Sequence, residues 1–324
     1  MRNHLTGTGP GRKLFPQAIL AALTGAVCVA LCLAQSPDWQ IAAGGRMAFD
    51  AATVKQNTAG PHSPTGSIFP MGPGEVYVPT RGLFKAGNQP LLAYIVFAYK
   101  VTDNQEQSLR TQLPKWATTA RFDIQGKAQG NPTKDQMRLM MQTLLEDRFR
   151  LAVHHEMRKV PVFALLVEQP GKLGPLLQRH PEGASCATTP QVPSPAPTAP
   201  PELLDTRFPA TCGGIVGMVP SAQGRRRAGA RNVSMELISS SLTGGEGVDR
   251  PILDRTNLTG MFDFAVEFSP QPTGRSRPGP NPPRDPTGPT FVEALKEQLG
   301  LTLEPQTAEM DFLVIDHVEE PLAN

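Results

Sequence analysis

The residues best equipped for chemistry are His154, His155 and Glu156, consecutive in LAVHHEMRK, and Asp316 with His317 near the C-terminus. Imidazoles and carboxylates hold metals, move protons and orient nucleophiles. On a strand, neighbouring side chains point to opposite faces, so His154 and Glu156 share a face that His155 does not. Two donors do not complete a zinc site, and the spacing is not that of a helical His-Glu-x-x-His peptidase. No metal and no cofactor is expected. Asp316 and His317 could pair with a nucleophile, and Ser239, Ser240 and Ser241 offer hydroxyls. There is no G-x-S-x-G elbow and no S-x-x-K, and the serines fall on a predicted helix where small residues permit close packing. A hydrolase using His154, Glu156, Asp316 and His317 is therefore the alternative reading, not the first.

Other clusters invite similar scrutiny. Arg225, Arg226 and Arg227 with Arg231 could receive an anion, but charge on an edge strand that keeps it soluble is the plainer reading. Gly244-Gly245-Glu246-Gly247 lacks the lysine and the strand–turn–helix frame of a phosphate loop and reads as a turn. Trp116 in LPKWATTARF is expected to cover a core edge rather than stack on a ligand. Asn232-Val-Ser and Asn257-Leu-Thr match glycosylation acceptors, discounted in an export context of bacterial character.

These residues sit in a chain of 324 residues with 39% apolar content, enough for a real core. The 34 Pro and 30 Gly are high and point to ordered modules joined by extended linkers. Residues 1–34 read as a signal peptide or uncleaved anchor: Arg2, Arg12 and Lys13 precede AILAALTGAVCVALCLA, and Cys32 and Ala34 are the small residues a signal peptidase reads. Removing that segment takes away three basic residues, so 31 basic against 29 acidic becomes 28 against 29. A near-neutral mature chain implies neither nucleic acid nor an anionic membrane as partner, and no membrane insertion after cleavage. Export places the protein in the periplasm, cell envelope or extracellular space. Only Cys186 and Cys212 then remain, and an even pair in an exported chain reads as a disulfide.

The positioning elements repeat. TARFDIQGKA (119–128) returns as TGMFDFAVEF (259–268). Upstream of each, a strand-like run reaches Asn88 or Asn232 before a helical stretch opens at Pro90 or Ser234. Downstream, Thr133-Lys-Asp-Gln136 and Thr290-Phe-Val-Glu293 read as capping boxes. Gly300 is placed to end the second helix in a left-handed cap. Strand-like runs follow each helix, 150–156 and 160–168 in one copy, 301–304 and 309–319 in the other, and read as a hairpin closing each copy. The expected fold class is α+β, two related β-α-β-α-β-β units with helices on one face of antiparallel or mixed sheets. The first unit spans 47–180 and the second 225–324, separated by a Pro-rich linker at 181–224 and interrupted by a Pro-rich insertion at 269–289. The linker, that insertion and the excursion at 58–75 are expected to be mobile. Phe122 with Ile124, and Phe262 with Phe264, should face a core while Asp123 and Asp263 point away, serving a shared structural role.

FDAATVKQN, LPKWATTARFDIQGKA, LLEDRFRLAVHHEMRKVPVFALLV, PILDRTNLTGMFDFAVEF and the C-terminal FVEALKEQLGLTLEPQTAEMDFLVIDHVEEP together resemble a family of exported proteins abundant in soil acidobacteria, known only as a domain of unknown function. The resemblance implies a signal-peptide-bearing extracytoplasmic module, in some relatives joined to a membrane metallopeptidase of the antibiotic-sensor type. It brings no catalytic residue, and this chain shows no peptidase motif. The favoured reading is a non-catalytic binding or sensory module of the cell envelope that recognises a peptide, glycan or partner protein. A structural surface protein is a further alternative.

Non-reducing peptide mapping should recover Cys186 and Cys212 in one linked pair, closing a loop whose constraint is worth roughly 3 kcal/mol. Two free thiols would refute the pairing.

Overall fold

The computed structural model describes residues 37–59, 64–184, 207–243, 248–270 and 288–321, all within one unit, Gln35–Asn324. The first half runs α1 (Asp38–Ala42), β1 (Ala51–Asn57), β2 (Gly66–Ser67), β3 (Leu83–Gln89), α2 (Leu91–Ala98), α3 (Asp103–Gln112), α4 (Lys115–Thr119), β4 (Arg121–Lys127), α5 (Lys134–Phe149) and β5 (Ala152–Val167). The second runs β6 (Leu177–Arg179), β7 (Val216–Met218), β8 (Arg226–Ser234), α6 (Met235–Ser241), β9 (Ile252–Asp254), β10 (Met261–Phe268), α7 (Phe291–Ala294), a π-helical turn at Leu295–Leu299, and β11 (Leu301–His317). The architecture is α+β, with strand orders β1-β4-β3-β2, β6-β10-β8-β7 and β11-β5-β9.

Alternation in the strands builds the cores. Val54, Phe84, Phe122 and Ile124 turn one face of the first sheet onto α2 and α5, whose stripes bring Leu91, Ile95, Met137, Met141 and Leu145. Phe262, Phe264, Val266 and Phe268 do the same in the second sheet against α6, α7 and the π-helical turn. The helix starts are those the sequence marks. Thr133 and Thr290 each form a complete capping box, and Ser234 accepts from the Leu237 N–H. Gly300 ends the second helix at φ 70°, and Arg150 takes the same left-handed turn at φ 51°.

The two Phe-Asp motifs hold one device in both sheets. Pairing of β3 with β4 slips between Ala86 and Gln89, so Gly87 and Asn88 face Asp123. Pairing of β8 with β10 slips at the matching place, so Arg231 and Asn232 face Asp263. Both asparagines are left-handed, at φ 54° and 53°. Each donates its backbone N–H to the aspartate's Oδ1, at 2.8 Å for Asn88 and 3.0 Å for Asn232. A bulge frees an N–H from the ladder, and a carboxylate on the facing strand accepts it. A third residue completes each clamp from the neighbouring strand or its end. Asn57 Nδ2 donates to Asp123 at 2.8 Å, while His180 Nδ1 lies 2.6 Å from Asp263 Oδ1.

The halves meet through the longest strands. β5 and β11 pair antiparallel along almost their whole length, from Ala152↔His317 to Val167↔Leu301. Leu151 and Val153 at the start of β5 pack on the first core, whereas Phe163, Leu165 and Val167 at its end pack on the second. Leu301 and Leu303 open β11 in the second core, and Leu313 and Ile315 close it in the first. Matching Leu151 to Leu301 (301 − 151 = 150) matches Lys159 to Glu309 (309 − 159 = 150), and those two residues are partners in the ladder.

Several expectations change. The runs after each helix do not fold into a hairpin within their own copy, because MRKV and PQTA offer no Gly, Asn or Asp at which an extended chain could reverse. Each run continues as one strand into the other half. β6, placed by sequence in the first unit, pairs with β10 of the second. The stretch read as linker supplies β7, which pairs with β8 and removes β8 from the sheet edge. Within 58–75, residues 64–75 are ordered by β2 and by the buried Phe69. Residues 1–34, the Gly244–Gly247 run, residues 185–206 of the Pro-rich linker (Cys186 among them) and 271–287 of the insertion lie outside the described residues.

Urea unfolding should rank the clamp variants. Asp263→Ala removes the carboxylate that accepts from the Asn232 N–H at a fully buried site and should cost about 2–4 kcal/mol. His180→Asn should cost no more than about 1 kcal/mol, because asparagine fills the same role in the first sheet. Equal losses for both variants would mean the two clamps are not interchangeable.

Candidate functional site

Of the sequence candidates, the structure joins His154 to Asp316. Both stand on the face of the β5–β11 ribbon turned away from the two cores, with His154 Nδ1 2.8 Å from Asp316 Oδ1 and their side chains 43% and 46% exposed. Glu156 shares that face but is taken by Arg158 at 2.6 Å, and this hydrogen bond pulls its carboxyl below the usual range. His317 pairs with Glu319 at 2.8 Å instead of joining Asp316. His155, on the opposite face, meets Asp311 at 2.7 Å. These are separate pairs on open strand surface. Among the described residues, no group of three or more His, Cys, Asp or Glu is placed to hold a metal.

The remaining candidates resolve into packing. Ser239 and Ser240 are buried on α6, and Ser239, Ser240 and Ser241 each donate to the carbonyl three residues back. Arg225 binds Glu267 at 3.3 Å and Arg227 donates to the Arg207 carbonyl, so these arginines tie down a crossing segment. Trp116 stacks on Phe149 at 6.5 Å and meets Phe122 edge-on, covering the core edge.

What sequence reasoning passed over is Lys134, the first residue of α5. It lines a hollow of about 440 Å³ between the two halves. One wall is the Gly72-Pro73-Gly74 turn with Val76, another is Ile215 and Val216, and α6 contributes Leu237, Ser240 and Ser241. Gly74 and Gly213 stitch two of these walls together. The Glu75 N–H donates to the Gly213 carbonyl at 2.8 Å, and a Cβ on Gly74 would sit 2.5 Å from that oxygen. Only glycine permits this approach of backbone to backbone.

Lys134 is 4% exposed. Its Nζ donates to the carbonyls of Gly74 at 2.5 Å and Gly72 at 3.2 Å. No described carboxylate forms an ion pair with it. Burial, then the Arg138 guanidinium one turn along, lowers its pKa to about 7 against the weaker pull of Glu75 and Asp135, and Lys100 adds to the depression. Arg138, fully buried, spans Gly72, Pro73 and Gly74 with Nη2 and binds Asp135 through Nη1. Asp103 lines the same hollow, its carboxyl pushed up by burial and by Glu106. A signal for Lys134 was present in the sequence: a cation at a helix N-terminus opposes the helix dipole, where acidic residues are the rule.

An α+β body of two exchanged halves with a lysine-lined hollow between them is the class this geometry defines. The chain belongs to the family described as "Protein of unknown function (DUF3738)", whose model matches residues 92–318, well over half of the chain. No curated protein and no solved structure matches it. Among the described residues, no helix is long and apolar enough to cross a membrane.

The depressed Lys134 pKa fixes the sign of a pH effect. Between about 7 and the unfolded value of about 10.4, the unfolded chain binds the proton that the folded one has lost, so stability rises with pH there. Below 7 the cost of the buried charge is constant and fully felt. Relative to Lys134→Met, the native protein should gain up to about 2 kcal/mol between pH 7 and 9 in urea titrations. Parallel pH profiles would show that Lys134 keeps an ordinary pKa.

Proposed function

We propose that the protein is a non-catalytic binding module of the cell envelope, exported by residues 1–34 as a signal peptide, and that its ligand enters the hollow at Lys134. The observation that carries this reading is the hollow itself. It is concave, lined largely by apolar side chains and backbone, and presents a few polar groups, which is the usual make-up of a ligand site. The hydrolase alternative has no comparable support, since His154, Glu156, Asp316 and His317 disperse into exposed pairs. The ligand is a peptide, a glycan or an exposed group of a partner envelope protein.

Two further elements belong to the same proposal. The matching strand orders, clamps and capping boxes are read as an internal duplication, with relatives in acidobacteria and some joined to membrane metallopeptidases. The Cys186–Cys212 disulfide anchors the segment that carries Thr211 to Val216 along the hollow.

Native mass spectrometry of mature protein taken from its own envelope should reveal a stoichiometric added mass, lost in Val216→Trp, where the indole fills the hollow. Bare polypeptide from both proteins would remove the reading's support.

A further inference from the structure

The hollow has a chemical peculiarity that bears on its ligand. A neutral amine has two N–H bonds and one lone pair, while an ammonium has three N–H bonds. Lys134 has two carbonyl acceptors, Gly74 and Gly72, and no described carboxylate pairs with it. The pair of carbonyls matches the two N–H bonds of the neutral amine, leaving its lone pair for the hollow. Arg138 and Lys100 on one side, with the N-terminal end of α5, further disfavour a charge here, and Glu75, Asp135 and Asp103 do not restore it. A buried amine kept neutral in a largely apolar hollow is an activated nucleophile.

We propose that the hollow captures the carbonyl-bearing end of its ligand, an aldehyde or ketone, as a reversible imine on Nζ of Lys134. This rests on the hollow being the ligand site. The Nζ lone pair forms a C–N bond to the carbonyl carbon as the C=O π pair moves to oxygen, and one Nζ proton passes to that oxygen, giving a carbinolamine. The C–O bond then breaks, the second Nζ proton leaves with the oxygen, and one water departs. One amine and one carbonyl become one imine and one water, with no oxidation or reduction. Asp103, in the wall of the hollow, holds its proton more tightly than an ordinary carboxyl and suits the transfer to the departing oxygen. A carboxylate ligand is the poorer fit, since it needs the ammonium that the surroundings disfavour.

The test treats the full-length mature protein with propanal and cyanoborohydride at pH 7, then maps alkylated lysines by peptide mass spectrometry. Exposed Lys159 and Lys172 serve as internal references. A surface lysine is less than about 0.1% neutral at pH 7, so Lys134 should label at least about tenfold faster even after allowing for restricted access. The advantage should fall at pH 5, where Lys134 is protonated, and at pH 10, where a surface lysine has an appreciable neutral fraction. Lys134→Met, which carries neither the amine nor a charge, should abolish the fast label while the references label at the native rate and the unfolding midpoint does not fall. Labelling of Lys134 no faster than the references at pH 7 overturns the proposal. Should native mass spectrometry find a ligand displaced by Val216→Trp while Lys134 labels slowly, the site stands and the imine falls. Fast labelling of Lys134 with no ligand found leaves the imine chemistry standing and removes the envelope-binding reading.

Discussion

The antiparallel ladder between β5 and β11 is the constraint on which the rest depends. Each strand leaves one hydrophobic core and completes the other, so Leu165 is buried with Phe264 and Leu313 with Phe122. Removing either half would strip the other of a strand and expose the apolar face beneath it. That face carries fully buried side chains, each worth about 1.5–3 kcal/mol of burial. The halves are therefore not modules that pack after folding. Side chains reinforce the join: Gln112 on α3 donates to the Leu313 carbonyl and accepts from the Ile315 N–H, acting as a fragment of neighbouring strand on the β11 edge. On the corresponding part of β5 that place is taken by backbone, where β9 pairs with Phe163–Leu165.

Within this frame the halves solve one local problem in two ways. Both bulges release an asparagine N–H to an aspartate, but their surroundings differ. The first sheet leaves its outer face partly open and Asn57 suffices. In the second, the crossing segment that ends in β7 helps cover the outer face, and Asp263 is 0% exposed, with His180 and Arg231 beside it. A carboxylate withdrawn from water needs more donors and a nearby cation, and the second clamp supplies both. Glu267, four residues along β10, repeats the pattern with Ser221 and Arg225.

Much of this was legible in the sequence because it is local. The capping boxes, the left-handed Gly300, the apolar alternation around Asp123 and Asp263 and the role of Trp116 all follow from spacing and residue type. Strand pairing did not follow. MRKV and PQTA contain nothing that says whether a chain reverses or runs on, and the partner of β5 lies about 150 residues away. The order of residues 64–76 was hidden for the same reason. Its Pro and Gly suggest mobility, yet its carbonyls are gathered by Arg138, a residue the helical pattern of α5 presents as merely polar. Family membership adds no help with chemistry, since its description names none.

The two cations in the first two turns of α5 show why Lys134 stands apart as a site. Arg138 by itself spans the carbonyls of Gly72, Pro73 and Gly74, and Asp135 and Glu75 pair with its guanidinium. Lys134 adds two hydrogen bonds to carbonyls already engaged, at the cost of burying an amine beside a guanidinium with no ion-pair partner of its own. A purely structural position would be better served by a residue without that penalty, such as glutamine or methionine. The arrangement makes physical sense when the amine meets something that the folded chain does not itself contain, and the hollow is where that contact can occur.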